Sequence, residues 1–238
     1  MDETIARRLI EINHQFYQTF AADFSATRQR IQPGVRRILQ ALPPAADILD
    51  LGCGNGQAWL TLHELGHQGR YVGLDFSPGL LADASAAGQG ALFLAADLAD
   101  PGWASLPPEP PFSAIFAFAV LHHLPGRALR LQTLRLVRSL LAPGGRFYHS
   151  NWQFLDSPRL RQRIQPWEAA GLRPEQVDPG DALLDWRRGG SGLRYAHHYT
   201  EAELAQLAAE SGFQVTGSFY SDGESGKLGF YQVWEIQD

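Results

Sequence analysis

The stretch ILDLGCGNGQ, residues 48–57, constrains this chain more than any other. Ile48, Leu49 and Leu51 surround a single acid, Asp50, and read as a strand buried on both faces, the kind found in parallel sheets covered by helices. Residues 57–65 have helical spacing, so the strand runs into a helix across a turn. In that turn Gly52, Gly54 and Gly56 allow φ > 0 and leave no Cβ to hold a ligand away. The first N–H groups of the helix then point back at the turn with the positive end of its dipole. Strand, glycine turn and helix in this order have the form of a ligand site, a form shared with a tight βα turn that holds no ligand.

The following segments repeat the alternation. Strands are expected at 48–51, 71–74, 91–95, 114–120 and 146–151, with helices at 57–65, 79–87 and 127–141 between them. This pattern argues for an α/β protein with a parallel sheet covered by helices on both faces. Ahead of the sheet, Ile5, Leu9, Ile12, Phe16 and Phe20 have helical spacing, and a second helix is expected from Pro33 to about 42. Residues 153–198 are rich in Pro, Gly, Arg and Trp and show no strand period, so short helices and loops are expected over the ligand edge. After them a T-x-x-E signal, with Thr200 as N-cap and Glu203 reaching back, opens a helix. Two strands, 213–221 and 229–237, joined by a glycine-rich segment, then make an antiparallel hairpin.

At 238 residues the chain suits one large domain. Its expected parts are an N-terminal helical cap (1–45), a ligand-binding core (46–152), a substrate-side insertion (153–198) and a C-terminal helix with hairpin (199–238). A net charge of -5 gives no global pull towards nucleic acid or acidic membranes, and Lys227 is the only lysine, so the positive charge is nearly all arginine. Cys53 is the only cysteine, which excludes an internal disulfide and a Cys-based zinc cluster and suits a reduced cytoplasm. No segment approaches the roughly 20 apolar residues of a membrane span, so a cytoplasmic protein without a membrane partner is expected.

Dinucleotide-binding turns space their glycines G-x-G-x-x-G. The pattern here, D-x-G-x-G-x-G headed by Asp50, resembles instead the first motif of class I S-adenosylmethionine (SAM)-dependent methyltransferases. The resemblance continues in order through YVGLDFSP, AADLAD, FAFAVLHHLP and LLAPGGRFY, over residues 48–148. It implies a Rossmann-like, mostly parallel seven-stranded sheet ending in the antiparallel hairpin, with SAM as cofactor, S-adenosylhomocysteine as product and no metal. By the same resemblance Asp50, Gly52, Gly54 and Gly56 face the methionine end of SAM. Asp75, with Phe76 beside it, accepts the ribose hydroxyls, Asp97 meets the adenine amino group and Leu98 its ring. Ala119 and His122, after the fourth strand, face the methyl donor.

A closer resemblance lies outside the core. HQFYQTFAADFSATRQR and GDALLDW…LRYAHHYTEAEL are similar to segments of the tRNA wobble carboxymethyluridine methyltransferases, which esterify the carboxylate of a modified uridine. Tyr17, Phe24, Ser25, Thr27 and Arg28 match one family pattern; Arg194, Tyr195 and His197 match another, R-Y-Y-H, with Ala196 replacing the second Tyr. The resemblance implies that Tyr17 and Arg28 close over the methionine end, that the acceptor is tRNA or a related small carboxylic acid, and that a small activator subunit is conceivable. A carboxylate nucleophile is ionised at neutral pH and needs an orienter rather than a base, a task that suits the bidentate fork of Arg194. A hydroxyl or amine acceptor would need a base, for which His122, His123, His197 and His198 are the candidates. The alternatives are a small-molecule methyltransferase and a module that holds SAM without turnover.

Overall fold

The computed structural model describes residues 1–27 and 30–237. Its main sheet contains β1 (Ile48–Leu51), β2 (Tyr71–Asp75), β3 (Leu92–Ala95), β4 (Phe112–Phe118), β5 (Leu141–Trp152), β9 (Phe213–Ser221) and β10 (Gly229–Ile236), in the order β3-β2-β1-β4-β5-β10-β9. β10 lies antiparallel between β5 and β9, and the other pairs are parallel. The expected fold class is therefore present. Strand order reverses between β1 and β4, and the crevice beyond their carboxyl ends is where open α/β sheets bind ligands.

All four residues of β1 are buried because helices cover both faces. On one face Leu49, Leu51 and Phe147 pack under α5 (Arg127–Leu140) and α7 (Glu201–Ser211), through Leu134, Val137, Leu204 and Leu207. On the other, Ile48, Tyr71 and Phe116 meet α2 (Pro33–Gln40) and α3 (Gln57–Glu64) through Val35, Ile38 and Trp59. Each such side chain contributes roughly 1.5–3 kcal/mol by leaving water. α4 (Pro78–Ala87) links β2 to β3.

The 153–198 segment departs from the expectation of helices and loops. Besides the expected short helices, α6 (Pro158–Arg161) and 3-10 turns at Phe154–Asp156, Trp167–Ala170 and Pro174–Gln176, it forms a second, antiparallel sheet of β6 (Ile164–Gln165), β7 (Asp181–Trp186) and β8 (Gly192–His197), with Leu184 opposite Arg194 and Leu183 opposite Tyr195. The strand period is missing because both faces of this sheet are covered. Leu183 and Tyr195 pack on Ile5, Leu9 and Ile12 of α1 (Glu3–Thr27), while Ala182, Leu184 and Ala196 pack on Phe154 and Leu160. Two-sided burial removes the alternation that identifies a strand. α1 itself is longer than its apolar spacing suggests and kinks at Phe20.

A smaller departure concerns the α7 cap. Thr200 accepts the Glu203 N–H at 3.1 Å, as expected, but the Glu203 carboxylate faces His197 and Arg130 instead of reaching back to the cap. No helix among the described residues is long and apolar enough to cross a membrane.

Candidate cofactor and acceptor site

A cavity opens at the switch point, between the carboxyl ends of β1, β2 and β4 and the underside of α1. It is lined by Asp50, Gly52, Gly54, Asp75, Phe76, Asp97, Leu98 and Ala119 from the sheet side, by Tyr17 from α1, and by His122 and Arg194. Two expected site residues among those described do not line it. Gly56 N-caps α3 at φ +77, and a Cβ there would fall 3.1 Å from that of Ala84, so this glycine serves close packing of the turn. His197 lies elsewhere, and Arg28 lies outside the described residues.

The glycine turn is left-handed at Gly52 (φ +69) and Gly54 (φ +56). A Cβ at Gly52 would strike Val120 at 2.4 Å, whereas one at Gly54 would project into open space. Asp75 braces the turn: its Oδ2 accepts the Gly54 N–H at 2.9 Å and its Oδ1 the Ser77 N–H at 2.9 Å. Each oxygen keeps a lone pair for a ligand. Burial pushes the Asp75 carboxyl up, with those N–H groups acting against it.

Asp50 is 3% exposed and accepts a 2.5 Å hydrogen bond from Tyr71. Burial raises its carboxyl to about 7, the Tyr71 bond opposing and Asp75 adding to the rise. A folded value above the unfolded one means stability that is complete below about 3.8 and lost as pH rises through about 7. A cation bound beside Asp50 reverses the balance by favouring the ionised form. Binding of a cationic ligand is therefore expected to release protons at pH 6 but not at pH 8.5. Calorimetry in two buffers of different ionisation enthalpy measures this, and equal release at both pH values would exclude Asp50 as the source.

Asp97 faces His14 of α1, Nε2 to Oδ2 at 3.2 Å, and accepts the Ala99 N–H at 2.9 Å. Burial works to raise its carboxyl, but His14 and Ala99 outweigh burial and hold it low. His14 also packs on Phe76, ring centroids 4.6 Å apart. Ala119 sits at φ +58, its N–H shared between the carbonyl and hydroxyl of Ser150. Strained backbone of this kind collects at functional sites.

On the opposite side Arg194, 7% exposed, is held between two rings, its guanidinium carbon 4.7 Å from the centroid of Trp152 and 5.2 Å from that of Phe16. Among the described residues its guanidinium donates to no acceptor. Of the candidate histidines, His198 lies with His197 away from this cavity and its buried Nδ1 has no hydrogen-bond partner among the described residues, whereas the other three are engaged. His122 Nδ1 accepts the Trp152 N–H at 3.4 Å. His123 lies between the Tyr195 carbonyl, 2.9 Å from Nδ1, and the Tyr17 hydroxyl, 3.0 Å from Nε2. His197 has carboxylates on both ring nitrogens, Asp181 at 2.7 Å and Glu203 at 3.0 Å. Two carboxylates require two N–H donors, hence an imidazolium. Burial works to lower the His197 value, but these acids outweigh it and raise it. The expectation of a base at His197 gives way to a structural cation in a buried cluster with Arg130.

Sequence reasoning missed His14, Phe16 and Trp152. The first two sit in a helix whose apolar spacing reads as packing alone, and Trp152 is the last residue of a core strand. Among the described residues no group of His, Cys, Asp and Glu side chains is arranged to hold a metal.

Residues 24–217 match the profile described as "Methyltransferase domain". The trans-aconitate 2-methyltransferase of an Azoarcus species is 34% identical over 220 residues, covering 76% of this chain and 83% of that protein. The tRNA (carboxymethyluridine(34)-5-O)-methyltransferase of Schizosaccharomyces pombe is 26% identical over 223 residues, covering 86% and 90%. Among solved structures, the DhpI-SAM-HEP complex superposes with a TM-score of 0.67 at 22% identity over 95% of this chain and 97% of that one, which speaks for the fold alone. With most of its length matched, and with a glycine turn at the switch point of this sheet, the chain belongs to the methyltransferase domain family with the class I SAM-dependent fold.

Proposed function

We propose that this methyltransferase transfers the methyl group of SAM to a carboxylate oxygen, forming a methyl ester. The observation that carries the reading is Arg194, a nearly buried guanidinium that lines the cavity without an acceptor among the described residues. A buried cation without a counter-charge is costly, and a planar anion on the acceptor would satisfy it in a bidentate fork. The engagement of His122, His123 and His197 supports the same reading, because a carboxylate needs no base whereas a hydroxyl or amine does. The names of both relatives contain an acid, carboxymethyluridine in one and trans-aconitate in the other.

The cavity also suits the cofactor. Open space above Gly54 leaves room for a ligand against the backbone, and a carboxylate as reluctant to ionise as Asp50 gains from a neighbouring ammonium. Asp75 and Phe76 would hold the ribose and adenine, Asp97 the adenine amino group, and Asp50 with Gly52 and Gly54 the methionine end. Bound there, SAM supplies a methyl group activated by a sulfonium. The chain's part is then alignment: Arg194 turns one carboxylate oxygen towards that methyl, and α1 excludes water.

The carboxylate belongs to a modified tRNA wobble uridine or to a small organic acid. Incubation with methyl-labelled SAM and either total tRNA or a small-molecule extract distinguishes the two by the fraction that takes up label. Added salt should depress transfer to tRNA steeply, through counterion release, and transfer to a small acid only slightly. In either case mild alkali should release the label as methanol, because esters hydrolyse where methyl ethers and methylamines do not. Alkali-stable label would remove the carboxylate reading and leave the methyltransferase standing. An activator subunit, if the chain uses one, would appear as transfer that depends on cell extract.

A further inference from the structure

We propose that His123 positions the Tyr17 hydroxyl as a hydrogen-bond acceptor towards the cationic half of the cofactor, so that this contact favours the sulfonium over its neutral thioether product. The inference rests on SAM as the cofactor and is independent of which acceptor is methylated.

The Tyr195 carbonyl can only accept a hydrogen bond. His123 Nδ1 lies 2.9 Å from it and so carries the ring proton. In the neutral ring Nε2 is then a lone pair, and the group 3.0 Å away is the Tyr17 hydroxyl. That hydroxyl donates to His123, which leaves its remaining lone pairs for the cavity that both residues line. The Tyr17 ring is wedged edge-on against Phe24, at 5.1 Å, and Phe76, at 5.6 Å, so the oxygen is held in place.

His123 is fixed just as firmly. Asn13 of α1 accepts the Tyr195 N–H at 2.9 Å and donates to the His123 carbonyl at 3.4 Å. The Tyr195 hydroxyl donates to Asp181 at 2.7 Å and accepts from Arg130 at 3.0 Å, tying the strand to a buried charge cluster. The tautomer of His123 is thus set from outside the cavity, and the polarity of Tyr17 follows from it.

Polarity is the point on which cofactor and product differ. An acceptor oxygen facing a sulfonium lowers its energy, whereas a donor O–H turned the same way raises it, and both effects are strong where water is excluded. The thioether product carries no charge at sulfur and gains much less. Tyr17 acts on the cofactor directly. His123 acts through Tyr17 and is a positioning residue.

The test is the ratio of the dissociation constants of S-adenosylhomocysteine and SAM, measured by calorimetry. Tyr17→Phe, which removes a single oxygen, should lower this ratio about tenfold by weakening SAM with little change for the product. His123→Asn, whose amide keeps the tie to the Tyr195 carbonyl but offers Tyr17 no lone pair at the Nε2 position, should lower it similarly. The double variant should fall no further than either single one. An unchanged ratio in Tyr17→Phe, or equal weakening of both ligands, would overturn the proposal. A ratio that rises would mean that the hydroxyl points its proton into the cavity, and overturns it too. If the wild-type protein binds neither ligand, the cofactor reading itself fails.

Discussion

Gly54→Val is expected to abolish SAM binding in a protein that still folds. Gly54 is at φ +56, where a β-branched residue carries strain of about 1–3 kcal/mol, enough to shift the turn but not to unfold a domain of this size. Nothing lies within 4 Å of a Cβ at this position, so the added side chain meets no protein and enters the space assigned to the cofactor. The same shift would also disturb the Gly54 N–H bond to Asp75 and thereby the ribose position. Circular dichroism and thermal unfolding establish the fold, and calorimetry the loss. Gly54→Ala should bind measurably but more weakly. Full affinity in Gly54→Val would mean that the turn is an ordinary loop.

Arg194→Lys is expected to cost more than about 100-fold in kcat/KM for the acceptor. Two charge-assisted bonds of about 1.5–3 kcal/mol each depend on the planar fork, and a point-like ammonium restores only part of them. A lysine also loses the stacking of a flat guanidinium between Phe16 and Trp152. SAM affinity should remain within about threefold, on the order of the 0.5 kcal/mol typical for sites without shared partners. The wild-type rate should be flat between about pH 6 and 8, since the nucleophile is already ionised. An indifferent Arg194→Lys combined with a histidine-like pH profile would discard the carboxylate acceptor.

Legibility followed the way each segment buries its residues. β1, the glycine turn and α3 could be read because a doubly buried strand and a run of glycines leave signals that depend on nothing distant. The hairpin of β9 and β10 was equally plain, since its strands lie between clear punctuation. β7 and β8 escaped because Leu183 and Leu184, adjacent in sequence, are both buried on opposite faces, which erases the period of two. Asp50, Asp75 and Asp97, the acids proposed to hold the cofactor, stand near strand tips, where sequence position nearly determines spatial position. His14 and Trp152 line the cavity, and Phe16 packs on Arg194, only because α1 and the second sheet fold over it, information held in long-range packing. His197 shows the converse: a residue that motif resemblance put at the chemistry is drawn away by Asp181 and Glu203.

Tyr195 gives the cavity a common datum. Its N–H is read by α1, its carbonyl by the turn after β4, and its hydroxyl by β7 and α5. The neighbouring Arg194 therefore takes its coordinates from the same point that locates Tyr17 and His123. A long insertion with several turns would ordinarily accumulate positional error along the chain. Here the error is reset at Tyr195, the residue next to the proposed acceptor clamp Arg194. In-line displacement is steeply sensitive to misplacement on the order of 1 Å. The turns of the 153–198 segment can thus vary in length and sequence without passing that variation on to the alignment of the reacting groups.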